Sequence, residues 1–129
     1  MALLQIAEPG QSPLPHQQKR AIGIDLGTTN SLVATVRGGR PDVLTDLDGE
    51  AMLPSVINYT NPEGAIVGRA AQALANTNPA DTLVSVKRFM GRGRSDAEAD
   101  ARRSHYQLAE GEEGMVSFVT ASGAVSPVQ

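Results

Sequence analysis

The clearest alternation of apolar and polar residues runs from residue 21 to residue 36, and it predicts two strands joined by a turn. Residues 21–24 (Ala-Ile-Gly-Ile) form an apolar run suited to a buried strand. Residues 31–36 alternate, so that Leu32, Ala34 and Val36 share one face of a second strand. Because a short Gly/Thr/Asn turn separates the two runs, the pattern predicts a β-hairpin.

Downstream, short apolar runs separated by Gly, Pro and Asn predict a mixed chain of strands and helices. Strands are expected at 41–46, 53–59, 65–68, 115–120 and 124–128, with turns at 48–49, 61–64, 110–114 and 121–123. Helices are expected at 69–76, 83–90 and 95–105, the last of them capped by Ser95 with Glu98 completing a capping box. Residues 1–20 carry three prolines, which favour an extended leader.

Composition narrows the class of protein. The chain has 129 residues, about one domain, and 40% of them are hydrophobic, so a folded core is feasible. Aromatic residues are only 3%, which predicts a core of Val, Leu, Ile and Ala. The absence of Cys excludes disulfides, a thiol nucleophile and a Cys-ligated metal from this chain. A net charge of −3, no membrane-length apolar run and no signal-peptide pattern favour a cytoplasmic protein without nucleic-acid or membrane partners.

The chemistry of the chain is concentrated in the turn between the first two strands. Gly27 allows positive φ and the close approach of a ligand to the backbone. Thr28, Thr29 and Asn30 add hydroxyl, amide and backbone N–H donors, which suit phosphate oxygens. Asp25, at the mouth of the turn, is a hard oxygen ligand suited to Mg²⁺ directly or through its waters.

The run GIDLGTTNS, residues 23–31, resembles the first phosphate loop of actin-like ATPases, and most closely that of the DnaK-type heat-shock chaperones. A second match is the Asn78-Pro79 pair followed by Ser85-Val86-Lys87-Arg88-Phe89-Met90-Gly91-Arg92. The leader (MALLQIAEPG and a later Pro-His-Gln) is similar to the branch of this family that serves iron–sulfur cluster assembly. The resemblance covers nearly the whole chain.

The resemblance implies an α/β, actin-like (ribonuclease-H-like) fold, in which residues 21–129 form part of lobe I of a nucleotide-binding domain. It implies ATP and Mg²⁺ as ligands, with Asp25 positioning the metal through water. It further implies that Lys87 faces the γ-phosphate and supports hydrolysis, and that Arg88 holds phosphate or neighbouring carboxylates. The implied partners are an iron–sulfur scaffold protein as client and a J-domain co-chaperone.

Several of the family's parts are expected to be missing from this sequence, among them its second phosphate loop, its catalytic glutamate, its adenosine pocket and its substrate-binding domain. We therefore expect the chain to be a truncated piece with an exposed apolar face and sheet edge, and to be inactive as an ATPase by itself. A sugar kinase of the same superfamily and a non-catalytic interaction module stay open as alternatives. The basic run at 87–94 is interpreted as a helix end and loop, not as a nucleic-acid patch.

Overall fold

The computed structural model describes residues 21–110 and 114–129, and the predicted leader at 1–20 lies outside this range. In chain order the strands are β1 (Ile22–Leu26), β2 (Asn30–Arg37), β3 (Arg40–Val43), β4 (Leu53–Pro54), β5 (Val56–Asn58), β6 (Ile66–Val67), β7 (Thr82–Val84), β8 (Leu108–Glu110), β9 (Val116–Thr120) and β10 (Gly123–Val125). The helices are α1 (Arg69–Ala73), a 3₁₀ helix (Val86–Phe89) and α2 (Arg94–Arg103). The predicted mixture of strands and helices is confirmed.

The first sheet confirms the predicted hairpin. β1 and β2 pair in antiparallel register, with Leu26 opposite Ser31, so the turn between them comprises only a few residues. β3 pairs with the second half of β2. β4 pairs with the beginning of β2, where Asn30 lies opposite Pro54. This last pairing brings the 53–56 segment against the turn.

The expectation that 21–24 forms a buried strand is wrong for the part of the chain that the structure describes. All five residues of β1 are exposed, and Ile22 and Ile24 expose 64% and 65% of their surface. The physical reason is that β2 is the only described strand that pairs with β1. Among the described residues the sheet therefore presents an apolar face and an open edge, and both were expected from the sequence.

The core lies elsewhere, where β7, the 3₁₀ helix, α2, β8 and β9 meet. Its buried residues are Leu83, Phe89, Ala97, Ala101, Tyr106, Val116 and Phe118. Three aromatic rings stack edge-to-face at its centre with centroids 5.1 to 6.0 Å apart. The expectation of a core built from Val, Leu, Ile and Ala is thus corrected, because the few aromatic residues are concentrated where they bury the most area.

The expected helix at 83–90 is also wrong. Residues 82–84 form β7, which pairs with β5, and Ser85 adopts the left-handed conformation with φ 56° and ψ 38°. A left-handed residue ends a strand and cannot continue a right-handed helix, so only the short 3₁₀ helix follows. The third helix exists as predicted, but it begins at Arg94 after Gly93, and no side chain caps it.

Tyr106 ties the end of β7 to this core, and it supports a stability prediction. Its hydroxyl accepts a hydrogen bond from the Val84 N–H at 2.8 Å and faces the Thr82 carbonyl at 3.3 Å. Tyr106→Phe leaves the Val84 N–H without its acceptor, so we expect the free energy of unfolding to fall by about 1 to 2 kcal/mol. Chemical denaturation at neutral pH measures this loss, with Tyr59→Phe as the matched control.

The same substitution should alter the alkaline pH dependence of stability. Burial raises the pKa of the Tyr106 phenol above its ordinary value of 10.0, and the Val84 hydrogen bond only partly opposes this. The unfolded chain therefore ionises first, so the contribution of Tyr106 to stability should be constant below pH 10 and should be lost as the pH rises above it. Tyr106→Phe should flatten this decline. An unchanged stability at neutral pH together with an unchanged alkaline slope would contradict the assignment.

Candidate functional site

The predicted phosphate turn occupies Gly27–Asn30, between β1 and β2, but glycine is required there for a different reason than expected. Gly27 does not adopt positive φ. Instead, a Cβ atom built on Gly27 would overlap the backbone carbonyl oxygen of Asn30. The turn is therefore closed so tightly that no side chain fits at its first residue.

Ser55, which the sequence did not mark as a site residue, lies between β4 and β5 and forms hydrogen bonds with this turn. Its hydroxyl donates to the Gly27 carbonyl at 2.9 Å and lies 2.9 Å from the Ser31 hydroxyl. Its backbone N–H donates to the Thr29 carbonyl at 2.8 Å. In the sequence it is one residue of the strand predicted at 53–59, and no motif marks it.

Lys87 lies at the same turn, although 61 residues separate it from Leu26 in the sequence. The 3₁₀ helix carries it, and its Nζ donates to the Leu26 carbonyl at 2.9 Å. The side chain is exposed, so the ammonium is accessible from solvent at the mouth of the turn. The structure therefore brings together the two motifs that the sequence singled out.

The remaining polar groups of the predicted site surround the turn. Asp25 is exposed near the end of β1, opposite Leu32. Thr28 is half-buried in the turn, and Thr29 and Asn30 are exposed. Within residues 21–110 and 114–129, no group of three or more His, Cys, Asp or Glu side chains is arranged to hold a metal ion. A single carboxylate fits Mg²⁺ that keeps most of its waters and takes its other ligands from phosphate.

Arg88 is placed apart from these residues. It lines a second cleft, of about 220 Å³, with Asp100 and Arg103 of α2. The hydrogen bond from Arg92 holds the pKa of the Asp100 carboxyl below its usual range, and the charges of Arg92, Arg103 and Arg88 add to this effect. Of the two roles expected for Arg88, the geometry therefore puts it near a carboxylate and not beside the turn.

An apolar cleft of about 340 Å³ opens beside the turn, between it and the 3₁₀ helix. Gly27 and Lys87 lie at its border, and its lining includes Leu26, Leu53, Val56, Val86, Met90 and Val128. Because apolar walls lower the local dielectric constant, charges placed at this border interact more strongly than in open water.

None of the described helices is long and apolar enough to cross a membrane.

The sequence is similar to known chaperones over its whole length. The family model described as Hsp70 protein matches residues 21–128. Proteins named "Chaperone protein HscA homolog" are 55% identical in Azotobacter vinelandii over 130 residues, 54% in Shewanella amazonensis over 129 residues and 55% in Herminiimonas arsenicoxydans over 129 residues. Each alignment covers 100% of this chain but only 20% or 21% of the relative, so the chain spans about a fifth of their length. The chain therefore belongs to the Hsp70 family, and the relatives described here are chaperones named for HscA.

Proposed function

We propose that the chain is part of the nucleotide-binding domain of an Hsp70-type chaperone, with an actin-like, ribonuclease-H-like fold, and that its turn binds the phosphates of Mg·ATP. The observation that carries the proposal is the 2.9 Å contact between Lys87 Nζ and the Leu26 carbonyl. It places an exposed ammonium next to a turn rich in hydroxyl and N–H donors. Such a turn supplies donors for phosphate oxygens, and a positive group beside it can stabilise the charge that a phosphoryl group carries during transfer.

In this proposal the residues divide the work. Backbone N–H groups and hydroxyls of Gly27–Asn30 hold the β- and γ-phosphates, and Asp25 orients the waters of Mg²⁺. Mg²⁺, when bound, neutralises part of the phosphate charge. The Lys87 ammonium, which donates to the Leu26 carbonyl, would exchange this acceptor for a γ-phosphate oxygen and stabilise charge on it during transfer. Arg88 contributes to phosphate binding only if its side chain leaves the Asp100 cleft.

For the whole protein we propose ATP hydrolysis coupled to capture and release of a client in the cytoplasm. The names of the relatives support a chaperone of the HscA type. From the resemblance we propose iron–sulfur cluster assembly as its role, a cluster scaffold protein as client and a J-domain protein as co-chaperone. Because the chain covers only about a fifth of these relatives, the 129-residue chain by itself is expected to bind ATP weakly and not to hydrolyse it.

Thr28→Ala tests the phosphate turn. The substitution is made in a chimera in which this chain replaces the matching residues of the Azotobacter vinelandii relative, which supplies the rest of the protein. Loss of one hydroxyl donor to a charged phosphate should weaken Mg·ATP binding about 10-fold or more. Calorimetric titration measures the affinity, and Thr45→Ala, an exposed threonine in another loop, is the matched control.

The outcomes separate the proposal from its alternatives. Unchanged affinity and unchanged turnover in Thr28→Ala would remove the turn from the mechanism. If the unsubstituted chimera shows no Mg·ATP binding, the chain is a non-catalytic module. Phosphorylation of glycerol or a pentose by the native protein, purified from its own cells, would favour the sugar-kinase alternative.

A further inference from the structure

We infer that Ser55 is a positioning residue, which holds the Gly27–Asn30 turn and the segment that carries Lys87 in a fixed relation to each other. The inference rests on the proposed function, since it assigns Ser55 a role in forming that same site. It concerns a residue that touches neither phosphate nor metal and acts only through the groups that do.

The contacts of Ser55 reach both halves of the site. Its side chain donates to the Gly27 carbonyl and its N–H donates to the Thr29 carbonyl, so it holds the turn at two points. Its own carbonyl accepts a hydrogen bond from the N–H of Ser85 at 3.4 Å. Ser85 is the left-handed residue from which the 3₁₀ helix begins. One residue therefore contacts the turn on one side and the start of the Lys87 segment on the other.

The hydroxyl of Ser55 has a defined direction, because its proton is directed to Gly27. Its lone pairs then accept the hydrogen bond from the Ser31 hydroxyl, whose oxygen lies 2.9 Å away. Its neighbours in the chain, Pro54 and Val56, are both buried, which fixes the backbone that carries it. A small hydroxyl on a rigid segment is well suited to hold a loop in one conformation.

Two adjacent backbone carbonyls, those of Leu26 and Gly27, show why this matters for Lys87. The Lys87 ammonium bonds Leu26, the residue just before Gly27, while Ser55 bonds Gly27 itself. If the turn loosens at Gly27, the Leu26 carbonyl and the turn amides move relative to the ammonium. Small displacements of this kind are costly, because phosphate binding needs several donors to converge on one group.

The test compares Ser55→Ala, Ser55→Thr and Thr77→Ala. The last is a matched control, because the exposed Thr77 hydroxyl likewise donates to one backbone carbonyl, that of Leu74, away from the turn. Amide ¹⁵N relaxation is recorded on the 129-residue chain without nucleotide. We expect order parameters of the turn to be about 0.85 in the original chain and to fall below about 0.6 in Ser55→Ala alone. Ser55→Thr should restore them, since it keeps the hydroxyl.

Mg·ATP affinity and turnover are then measured in the chimera. Ser55→Ala should weaken Mg·ATP binding about 10-fold, while the same chimera unfolds at nearly the same temperature. A residue with a merely structural role would lower the unfolding temperature and leave the affinity unchanged, which would overturn the inference. Unchanged order parameters in Ser55→Ala would overturn it too.

The two proposals fail in different ways. If the unsubstituted chimera does not bind Mg·ATP, the proposed function is wrong, yet the relaxation data still decide whether Ser55 holds the turn. If Ser55→Ala unfolds the 129-residue chain, Ser31→Ala decides in its place. That variant keeps the contact between the Ser55 hydroxyl and the Gly27 carbonyl, so it should leave the order parameters of the turn nearly unchanged. A fall of these order parameters below about 0.6 in Ser31→Ala would contradict the role of Ser55.

Discussion

Lys87→Ala is expected to leave Mg·ATP binding largely intact and to lower the rate of ATP hydrolysis by about 100- to 1,000-fold, the usual cost of removing one preorganised charge-stabilising group. The ammonium lies at the mouth of the turn, 2.9 Å from the Leu26 carbonyl. In the proposed mechanism the turn donors and Mg²⁺ hold the phosphates in the ground state, so we expect one cation to add little to affinity. During phosphoryl transfer, charge is redistributed over the phosphoryl oxygens, and the same cation stabilises the transition state more than the ground state.

The measurement is single-turnover hydrolysis in the chimera with the Azotobacter vinelandii relative, together with equilibrium binding of Mg·ATP. Arg40→Ala is the matched control, since it removes an exposed cation from β3, away from the turn. Lys87→Arg should restore little, because the planar guanidinium cannot replace a compact ammonium in the same geometry. Lost binding with normal turnover of the residual complex would contradict the proposed role, and so would full hydrolysis by Lys87→Ala.

The hairpin of β1 and β2 could be predicted from the sequence, because every feature that specifies it lies within a short stretch of residues. Two runs with strand periodicity flank a short turn, and the turn fixes the register in which Leu26 meets Ser31. The burial of β1 was not readable in the same way. A continuous apolar run indicates that a segment can be buried, but whether another element covers it depends on the rest of the fold.

The segment at 83–90 shows where periodicity misleads. Leu83, Val86 and Met90 have helical spacing, yet Leu83 is buried because β7 pairs with β5, with Leu83 opposite Ile57. In a window of eight residues, a strand followed by a 3₁₀ turn can satisfy the same spacing as a helix. The left-handed Ser85 that separates them has no marker in the sequence, because glycine or asparagine would be the usual choice there.

For the candidate site, too, the sequence indicated local motifs but not the contacts between distant segments. The turn and Lys87 were singled out from their motifs, but the sequence alone could not show that the Lys87 ammonium lies 2.9 Å from the Leu26 carbonyl, 61 residues away in the chain. Ser55 was not predicted as a site residue, because it contacts Gly27, Thr29 and Ser85, which are distant from it in the chain. The motif therefore indicated the groups that we propose to contact the ligand, and the structure showed the contacts from which we propose Ser55 as the residue that positions them.

Gly27→Ala is expected to disrupt the turn and to reduce Mg·ATP affinity by at least 100-fold. The new Cβ would overlap the backbone carbonyl of Asn30, and a backbone atom cannot rotate away as a side chain can. Relief requires the turn to open, which displaces the donors of Thr28 and Thr29 and strains the Ser55 contact at the Gly27 carbonyl. Such overpacking also costs stability, typically about 1 to 3 kcal/mol.

Gly23→Ala provides a matched control in the same hairpin. Gly23 lies in β1, four residues before Gly27, and a Cβ built there meets no atom within 4 Å. It should leave affinity unchanged and slightly favour the strand, because alanine has less conformational freedom to lose than glycine. Binding of Mg·ATP to the chimera and thermal unfolding of both variants measure the difference. If Gly27→Ala binds as tightly as Gly23→Ala, the turn must tolerate opening without loss of its donors, and its closed form would not be the one that binds phosphate.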